Sequence, residues 1–129
     1  PLFAALGATD AFSNTNQAVG LVPSSVPAAT PVTTGPFGIV GPVLITIFKI
    51  FVPGTITSAV ATDTTANNIV LAEGAPGLGY LSVSGDAIYL NLQTADPNNL
   101  NYFLNLFALA CNRVLPTRGI DISKFTNAI

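Results

Sequence analysis

Catalytic chemistry has few candidate residues in this chain of 129 amino acids. Histidine is absent, which removes the usual neutral-pH acid–base group, any Ser–His or Cys–His pair and the imidazole metal ligand. The spacing of the remaining carboxylates does not favour a catalytic pair. We therefore predict that the protein is not an enzyme and has no catalytic residue. The six carboxylates are Asp10, Asp63, Glu73, Asp86, Asp96 and Asp121.

Four of these carboxylates have a structural explanation that is preferred to a catalytic one. Asp86 falls in a predicted hairpin turn, and Asp96 precedes Pro97 at a predicted helix start, where an aspartate caps free N–H groups. Asp63 and Glu73 could in principle form the carboxylate pair of a glycoside hydrolase. Nothing in their spacing indicates that reaction, so we prefer structural roles for both.

Two loops resemble ligand-binding segments only superficially. Residues 73–79, EGAPGLG, lack the lysine of a P-loop, and a strand follows them where a dinucleotide-binding loop needs a helix. Residues 63–67 offer oxygen ligands for Ca²⁺ but lack the glycine and bidentate glutamate of an EF-hand. We interpret the first as a hairpin connection, and we predict no cofactor and no bound metal.

Charge is scarce in this sequence. Only 8% of the residues are charged, where about 25% is usual, and the net charge is −2. Mean hydropathy is +0.60, more apolar than a small core readily buries, so we predict that copies of the chain associate. Neither a nucleic acid nor a membrane is the expected partner, because the basic residues are too few. These are Lys49, Arg113, Arg118 and Lys124. A small-molecule substrate is not expected either, because the functional groups for catalysis are missing.

The strongest element signal is a helix over about residues 97–115. Asp96 and Pro97 mark its start, and Pro116 blocks its continuation. The asparagines at 98, 101, 105 and 112 fall within about 60° on one face, and most other positions are apolar. We therefore expect a helix that protein buries over most of its circumference. The asparagine face would bond neighbouring backbone, contact another copy or face solvent.

The remaining elements predict a sheet. Residues 43–52 form an apolar strand expected to be covered on both faces, within the apolar run 37–52. Weaker strands are predicted at 55–62 and 69–71, a hairpin at 80–84 and 87–93, and a last strand within 119–125. The predicted fold class is α+β, mainly antiparallel β and β-sandwich-like, with one long buried helix in the C-terminal half.

Residues 1–36 are predicted to be an extended, proline-rich N-terminal arm, and residues 37–129 a single β-rich domain. Four prolines between residues 23 and 36 oppose a central strand, while interspersed apolar residues seek a groove. That groove lies either on the arm's own domain or on a neighbouring subunit. In the second case, deleting residues 1–35 leaves a folded chain that no longer assembles.

Cys111 is the single cysteine and lies within the predicted helix. We interpret it as a small buried apolar residue, with a disulfide between copies as the alternative. The chain begins at Pro1, which fits either removal of a signal segment or trimming of an initiator Met. Low charge favours an extracellular or cell-surface location, with a virion as the alternative.

These features together predict a structural, self-assembling subunit of an extracellular filament or pilus-like fibre. Apolar subunit contacts and an arm docked on a neighbour would hold it together, in the manner of strand addition to a sheet edge. The alternatives are a viral capsid or shell subunit, and a small secreted module that binds a lipid or another apolar ligand. The predicted subunit-interface residues are Phe3, Phe12, Val26, Val32, Asn101, Asn105 and Asn112.

Overall fold

The structure is a computed structural model that describes residues 2–77, 79–86 and 96–114. An antiparallel sheet and a long helix after it confirm the α+β class. The predicted strands at 87–93 and 119–125 lie outside the described residues. The elements are α1 (Leu2–Ala5), β1 (Ala11–Pro23), β2 (Leu44–Val52), β3 (Ser58–Thr62), β4 (Ile69–Gly74), β5 (Leu81–Ser84) and α2 (Pro97–Val114).

The five described strands form one sheet in the order β1-β2-β4-β3, with β5 also paired to β4. Strands β3, β4 and β5 follow one another as hairpins, and all pairings are antiparallel. β2 joins this meander through the pair Phe51 and Ile69. No second sheet is present among the described strands, so the β-sandwich is not seen there.

Strand β1 lies within the predicted N-terminal arm and belongs to the chain's own sheet. It pairs with β2 along its length, from Ala11 opposite Val52 to Pro23 opposite Leu44. Thirteen residues of β1 therefore lie opposite nine of β2, with register shifts that make the edge strand irregular. After Pro1 the next proline is Pro23, where the strand ends, so no proline opposes pairing in residues 11–22.

The proline-rich segment after β1 also lies on its own domain. The Ser25 N–H donates to the Thr62 carbonyl at 2.8 Å, and the Ala28 N–H donates to the Val60 carbonyl at 2.8 Å. These bonds cover the outer edge of β3. Val32, which follows, is fully buried in the core. Residues 24–36 therefore lie on the chain's own domain, which is one of the two positions predicted for the N-terminal arm.

The main core lies where α2 meets the sheet. Its largest buried side chain is Tyr102 of α2, and a second, smaller cluster surrounds Phe51. Strand β2 is not covered on both faces as predicted, because Ile47 and Val52 are exposed. The members of the main core are Val32, Val40, Val43, Ile45, Phe48, Val60, Ala61, Val70, Leu71 and Tyr102.

Helix α2 begins where the sequence predicts. Asp96 Oδ1 accepts hydrogen bonds from the backbone N–H groups of Asn98 at 2.9 Å and Asn99 at 3.1 Å, as an N-cap does. The described chain alone does not bury the helix over most of its circumference, so the predicted coverage by protein, which includes other copies, stays a prediction. Leu100, Phe103 and Phe107 are exposed instead.

Candidate self-assembly surface

The face of α2 that meets the sheet carries asparagines. Asn99 is buried, and its Oδ1 accepts from the Leu44 N–H at 2.7 Å while its Nδ2 donates to the Leu44 carbonyl at 3.1 Å. Asn98 binds in the same way, accepting from the Gly41 N–H at 2.9 Å and donating to the Pro42 carbonyl at 3.1 Å. Each amide thus satisfies both a backbone donor and a backbone acceptor.

Asn105 makes the third bond pair of this kind, about two turns after Asn98 along α2. Its Oδ1 accepts from the Phe37 N–H at 2.8 Å, and its Nδ2 donates to the Gly38 carbonyl at 2.9 Å. A Cβ on Gly35 would lie 2.6 Å from the Asn105 side chain, so the chain can approach only because residue 35 is glycine. Residues 37–43 form no strand, and asparagines supply the partners that their backbone groups need.

Although Tyr102, Leu106 and Leu109 of α2 pack on the core, other large apolar side chains of this helix are exposed. Leu100, Phe103 and Phe107 are 49%, 43% and 62% exposed, although all three are large and apolar. At about 100° per residue they lie roughly opposite the buried Tyr102 and Asn105. The face of α2 that meets the sheet therefore combines asparagines with apolar side chains such as Tyr102, while other large apolar side chains are exposed, which is unusual for an amphipathic surface helix.

Two further exposed apolar residues lie beside α2. Phe37 is 52% exposed and Ile39 is 80% exposed, and the Asn105 amide holds the backbone between them against the helix. The exposure of these five apolar residues, Phe37, Ile39, Leu100, Phe103 and Phe107, was not predicted from the sequence. The asparagine face of α2 is the pattern that could have indicated the three residues that lie on the helix.

The seven predicted interface residues fall into different environments. Val32 and Asn105 are fully buried within the chain, so they cannot contact another subunit and are removed from the candidate surface. Val26 and Asn112 are exposed, and Asn101 is half-buried beside Gly38. The seven predicted residues therefore do not share one exposed surface.

Phe3 and Phe12 are brought together by a third ring. Both pack against Phe51, with centroid distances of 5.6 Å for Phe3 and 5.2 Å for Phe12. They line an open cavity of about 510 Å³ whose walls are mostly apolar. Leu81 and Val83 of β5 contribute to the opposite wall. Phe12 itself is exposed, so this cluster is accessible from solvent.

Glu73 occupies a buried polar site that the sequence did not reveal. Its two carboxylate oxygens accept hydrogen bonds from the hydroxyl groups of Tyr80 and Tyr102, and Tyr102 also contacts the Ser82 hydroxyl at 2.9 Å. The side chain borders a cavity of about 410 Å³ lined largely by small residues. These tyrosine bonds give Glu73 a structural role in joining β4 to α2.

Asp63 does not form a pair with Glu73. Thr62 pairs with Ile69 at one end of the β3–β4 hairpin, and Ser58 pairs with Glu73 at the other. Four residues of strand separate the two ends, or about 13 Å, beyond the roughly 5–9.5 Å of glycosidase carboxylates.

The Asp63 carboxylate is occupied by its own loop. Its oxygens accept from the N–H groups of Thr65, Ala66 and Asn68 at 2.8–2.9 Å. Burial raises the pKa of Asp63, but these bonds outweigh it and hold the pKa below its usual value. The loop of residues 63–67 is thus organised around backbone N–H donors. These donors occupy the Asp63 carboxylate oxygens that a calcium ion would need.

Asp10 ties the start of β1 to the loop after β2. It is buried and accepts from the N–H groups of Ile56 at 3.1 Å and Thr57 at 3.0 Å, and from the Thr57 hydroxyl. Burial raises its pKa, yet the hydrogen bonds from Thr57, Gly54 and Ile56 lower it well below the ordinary value. Because residues 55–57 form this loop, β3 begins at Ser58 and not at the predicted residue 55.

Within the described ranges, no helix has the length and apolarity needed to cross a membrane. In the same part of the chain, no group of three or more potential metal-ligating side chains comes together. Comparison of the chain with protein-family models, with curated proteins and with solved structures finds no match.

Proposed function

We propose that this protein is a structural subunit that assembles with copies of itself into an extracellular filament or pilus-like fibre. The observation that carries the proposal is the composition of the exposed surface. Among the charged side chains that the structure describes, only Lys49 is fully in the exposed class, since Asp10, Asp63 and Glu73 are buried and Asp86 and Asp96 are half-buried. A surface with so little charge does not keep copies apart in solution.

Many large apolar side chains are also exposed on this surface. Isolated ones are ordinary, but this many on a small chain leave substantial apolar area in water, which association would remove. The exposed large apolar residues are Leu2, Leu6, Phe12, Leu21, Val26, Phe37, Ile39, Ile47, Val52, Leu100, Phe103 and Phe107.

The N-terminal segment contributes to this assembly through its exposed parts. Strand β1 ends the described sheet order, so one of its edges has no strand beside it in the described chain. No residue between Ala11 and Pro23 is charged, and charge is a common means of protecting an edge strand. Docking of this region on a neighbour would use the exposed Phe12 and Val26, while β1 stays paired with its own β2.

Light scattering and negative-stain microscopy of the purified protein test the proposal. We expect elongated particles of many subunits at high protein concentration. Closed shells of uniform diameter would favour the virion alternative instead. A single species of 13.2 kDa throughout the concentration range would overturn self-assembly in either form.

The cavity at Phe3 and Phe12 supports one different candidate, a secreted module that binds an apolar ligand. At about 510 Å³ it is within the usual size range of ligand pockets, and its lining is mostly apolar. This function predicts a monomer that carries a bound lipid. Native mass spectrometry of the purified chain would detect the added mass, whereas the assembly proposal predicts no ligand at this cavity.

A further inference from the structure

The cavity that Glu73 borders has the size of a small-molecule site. Its volume is about 410 Å³, within the usual range for ligand pockets. Small residues form much of its wall, among them Ala28, Ser58 and Ala59, and these three are exposed. The cavity is therefore open to solvent on that side, while the Glu73 side chain is buried.

Glu73 differs from the other two buried carboxylates of the described chain. Asp10 and Asp63 accept hydrogen bonds from backbone N–H groups. The two oxygens of Glu73 accept instead from the hydroxyl groups of Tyr80 and Tyr102. Because both oxygens accept, the carboxylate is in its ionised form. Within the described residues no lysine or arginine forms an ion pair with it, so its negative charge has no opposite charge.

An ionised carboxylate in this position favours a positively charged ligand. Burial of a charge is costly when no opposite charge accompanies it. A carboxylate has about four acceptor positions, and the two tyrosine hydroxyls use one each, so Glu73 can still accept from further donors. A cation with N–H groups in the cavity would supply both the donors and the missing charge.

A metal ion fits this cavity less well than an organic cation. Ca²⁺ takes six to eight oxygen ligands, and in the described part of the chain no three potential metal-ligating side chains come together. An ammonium group needs no such ligand set. The small side chains of Ala28 and Ala59 leave room beside them for an alkyl chain.

We propose that this cavity binds a small organic cation, with its ammonium group donating to Glu73 and its apolar part lying along Ala28 and Ala59. The tyrosine bonds hold the carboxylate in place before the ligand enters, which lowers the ordering cost of binding. The site is independent of self-assembly, because the cavity is formed within one copy of the chain. It adds a small-molecule ligand that the sequence did not predict.

Saturation-transfer NMR of the full chain at pH 7 tests the site with two probes, n-butylammonium and n-butanol. The two probes share the same alkyl chain, and only the first is charged. We expect n-butylammonium to bind on the order of tenfold tighter, the factor that follows from a hydrogen bond to a charged group. Equal affinity of the two probes, or no binding of n-butylammonium, would overturn the proposal.

The variant Glu73→Gln removes the charge and keeps a similar shape. We expect its affinity for n-butylammonium to fall to that of n-butanol, since the alkyl contacts remain. An unchanged preference for the ammonium probe in this variant would show that Glu73 does not hold the ligand.

Because Glu73 also joins β4 to α2, a second variant leaves the carboxylate and its tyrosine partners intact. Ala59→Phe places a ring in the wall of the cavity, at an exposed strand position that tolerates a large side chain. We expect it to weaken the binding of both probes. The matched control is Val52→Phe, which adds the same ring at an exposed strand position outside the cavity wall and should bind as the original does. Original affinity in Ala59→Phe would contradict the proposed location.

The results of this experiment are separate from those on self-assembly. A chain that assembles but shows no preference for n-butylammonium would remove the ligand site and leave self-assembly standing. A chain that stays a monomer and binds the ammonium probe through Glu73 would do the reverse.

Discussion

The side chain of Asn105 binds the backbone of two successive residues, accepting from the Phe37 N–H at 2.8 Å and donating to the Gly38 carbonyl at 2.9 Å. A single fully buried amide therefore fixes an irregular segment to α2. The same bonds place the Asn105 side of the helix inside the subunit, and Leu100 and Phe107, on the roughly opposite side, are exposed.

Replacing Asn105 by leucine tests this role. The change keeps a similar volume but leaves two backbone groups without partners, and each buried unsatisfied group costs about 1–3 kcal/mol. We expect a loss of about 2–4 kcal/mol in the free energy of unfolding, measured by urea denaturation. The control Asn112→Leu alters an exposed residue of the same helix and should change stability by less than about 0.5 kcal/mol. Equal effects at the two positions would contradict the structural role of Asn105.

Acid should destabilise the protein through Asp10 and Asp63. Both pKa values are lower in the folded chain than in the unfolded chain, so the unfolded state binds more protons as the pH falls. Their contribution is fully present above about pH 5 and declines as the pH falls through the ordinary aspartate value of about 3.9 and below it. Thermal unfolding between pH 8 and pH 2.5 should show stability falling on the acid side, and absence of histidine leaves the range from pH 5.5 to 8 nearly flat.

Asp10→Asn separates this effect from general acid unfolding. The variant loses the charge-assisted bonds to Ile56 and Thr57, so it should be less stable at pH 7 and less sensitive to acid than the original chain. An unchanged acid response in the variant would show that Asp10 does not contribute.

The bond between Tyr102 and Glu73 should stabilise the contact of α2 with the sheet. Tyr102→Phe removes a hydroxyl that donates to a buried carboxylate, which costs about 1.5–3 kcal/mol. Measuring Tyr102→Phe, Glu73→Gln and the double variant gives their coupling by a thermodynamic cycle. We expect a coupling above about 0.5 kcal/mol, and strictly additive effects would rule out the bond as a source of stability.

Deletion of residues 1–35 has a different expected outcome from the one that the sequence suggested. The segment contains β1, which pairs with β2, and Val32, which lies in the core. Its removal should therefore unfold the remaining chain, as judged by loss of the cooperative thermal transition. A folded, non-assembling product would show instead that the segment is the separable arm predicted from the sequence.

The sequence predicted those features that depend on neighbouring residues. The start of α2 followed from Asp96 and Pro97, since capping is local, and strands β3 to β5 followed from short β-rich runs between turn residues. The position of β1 did not follow from the sequence, because its partner β2 is distant along the chain. The prolines after residue 22 also argued against a strand in this segment.

The candidate surface was harder to predict for a physical reason. Asparagines on one helix face are compatible with solvent, with another copy or with buried backbone, and only the tertiary contacts of Asn98, Asn99 and Asn105 decide among these. Once they are buried, exposure of Leu100 and Phe107 follows from helical geometry.

Sedimentation velocity of the purified full-length protein over a wide concentration range tests most directly whether copies of the chain cover one another's apolar surface. The account predicts a sedimentation coefficient that rises with concentration towards large polymers. A constant coefficient corresponding to one 13.2 kDa chain at the highest concentration would contradict it.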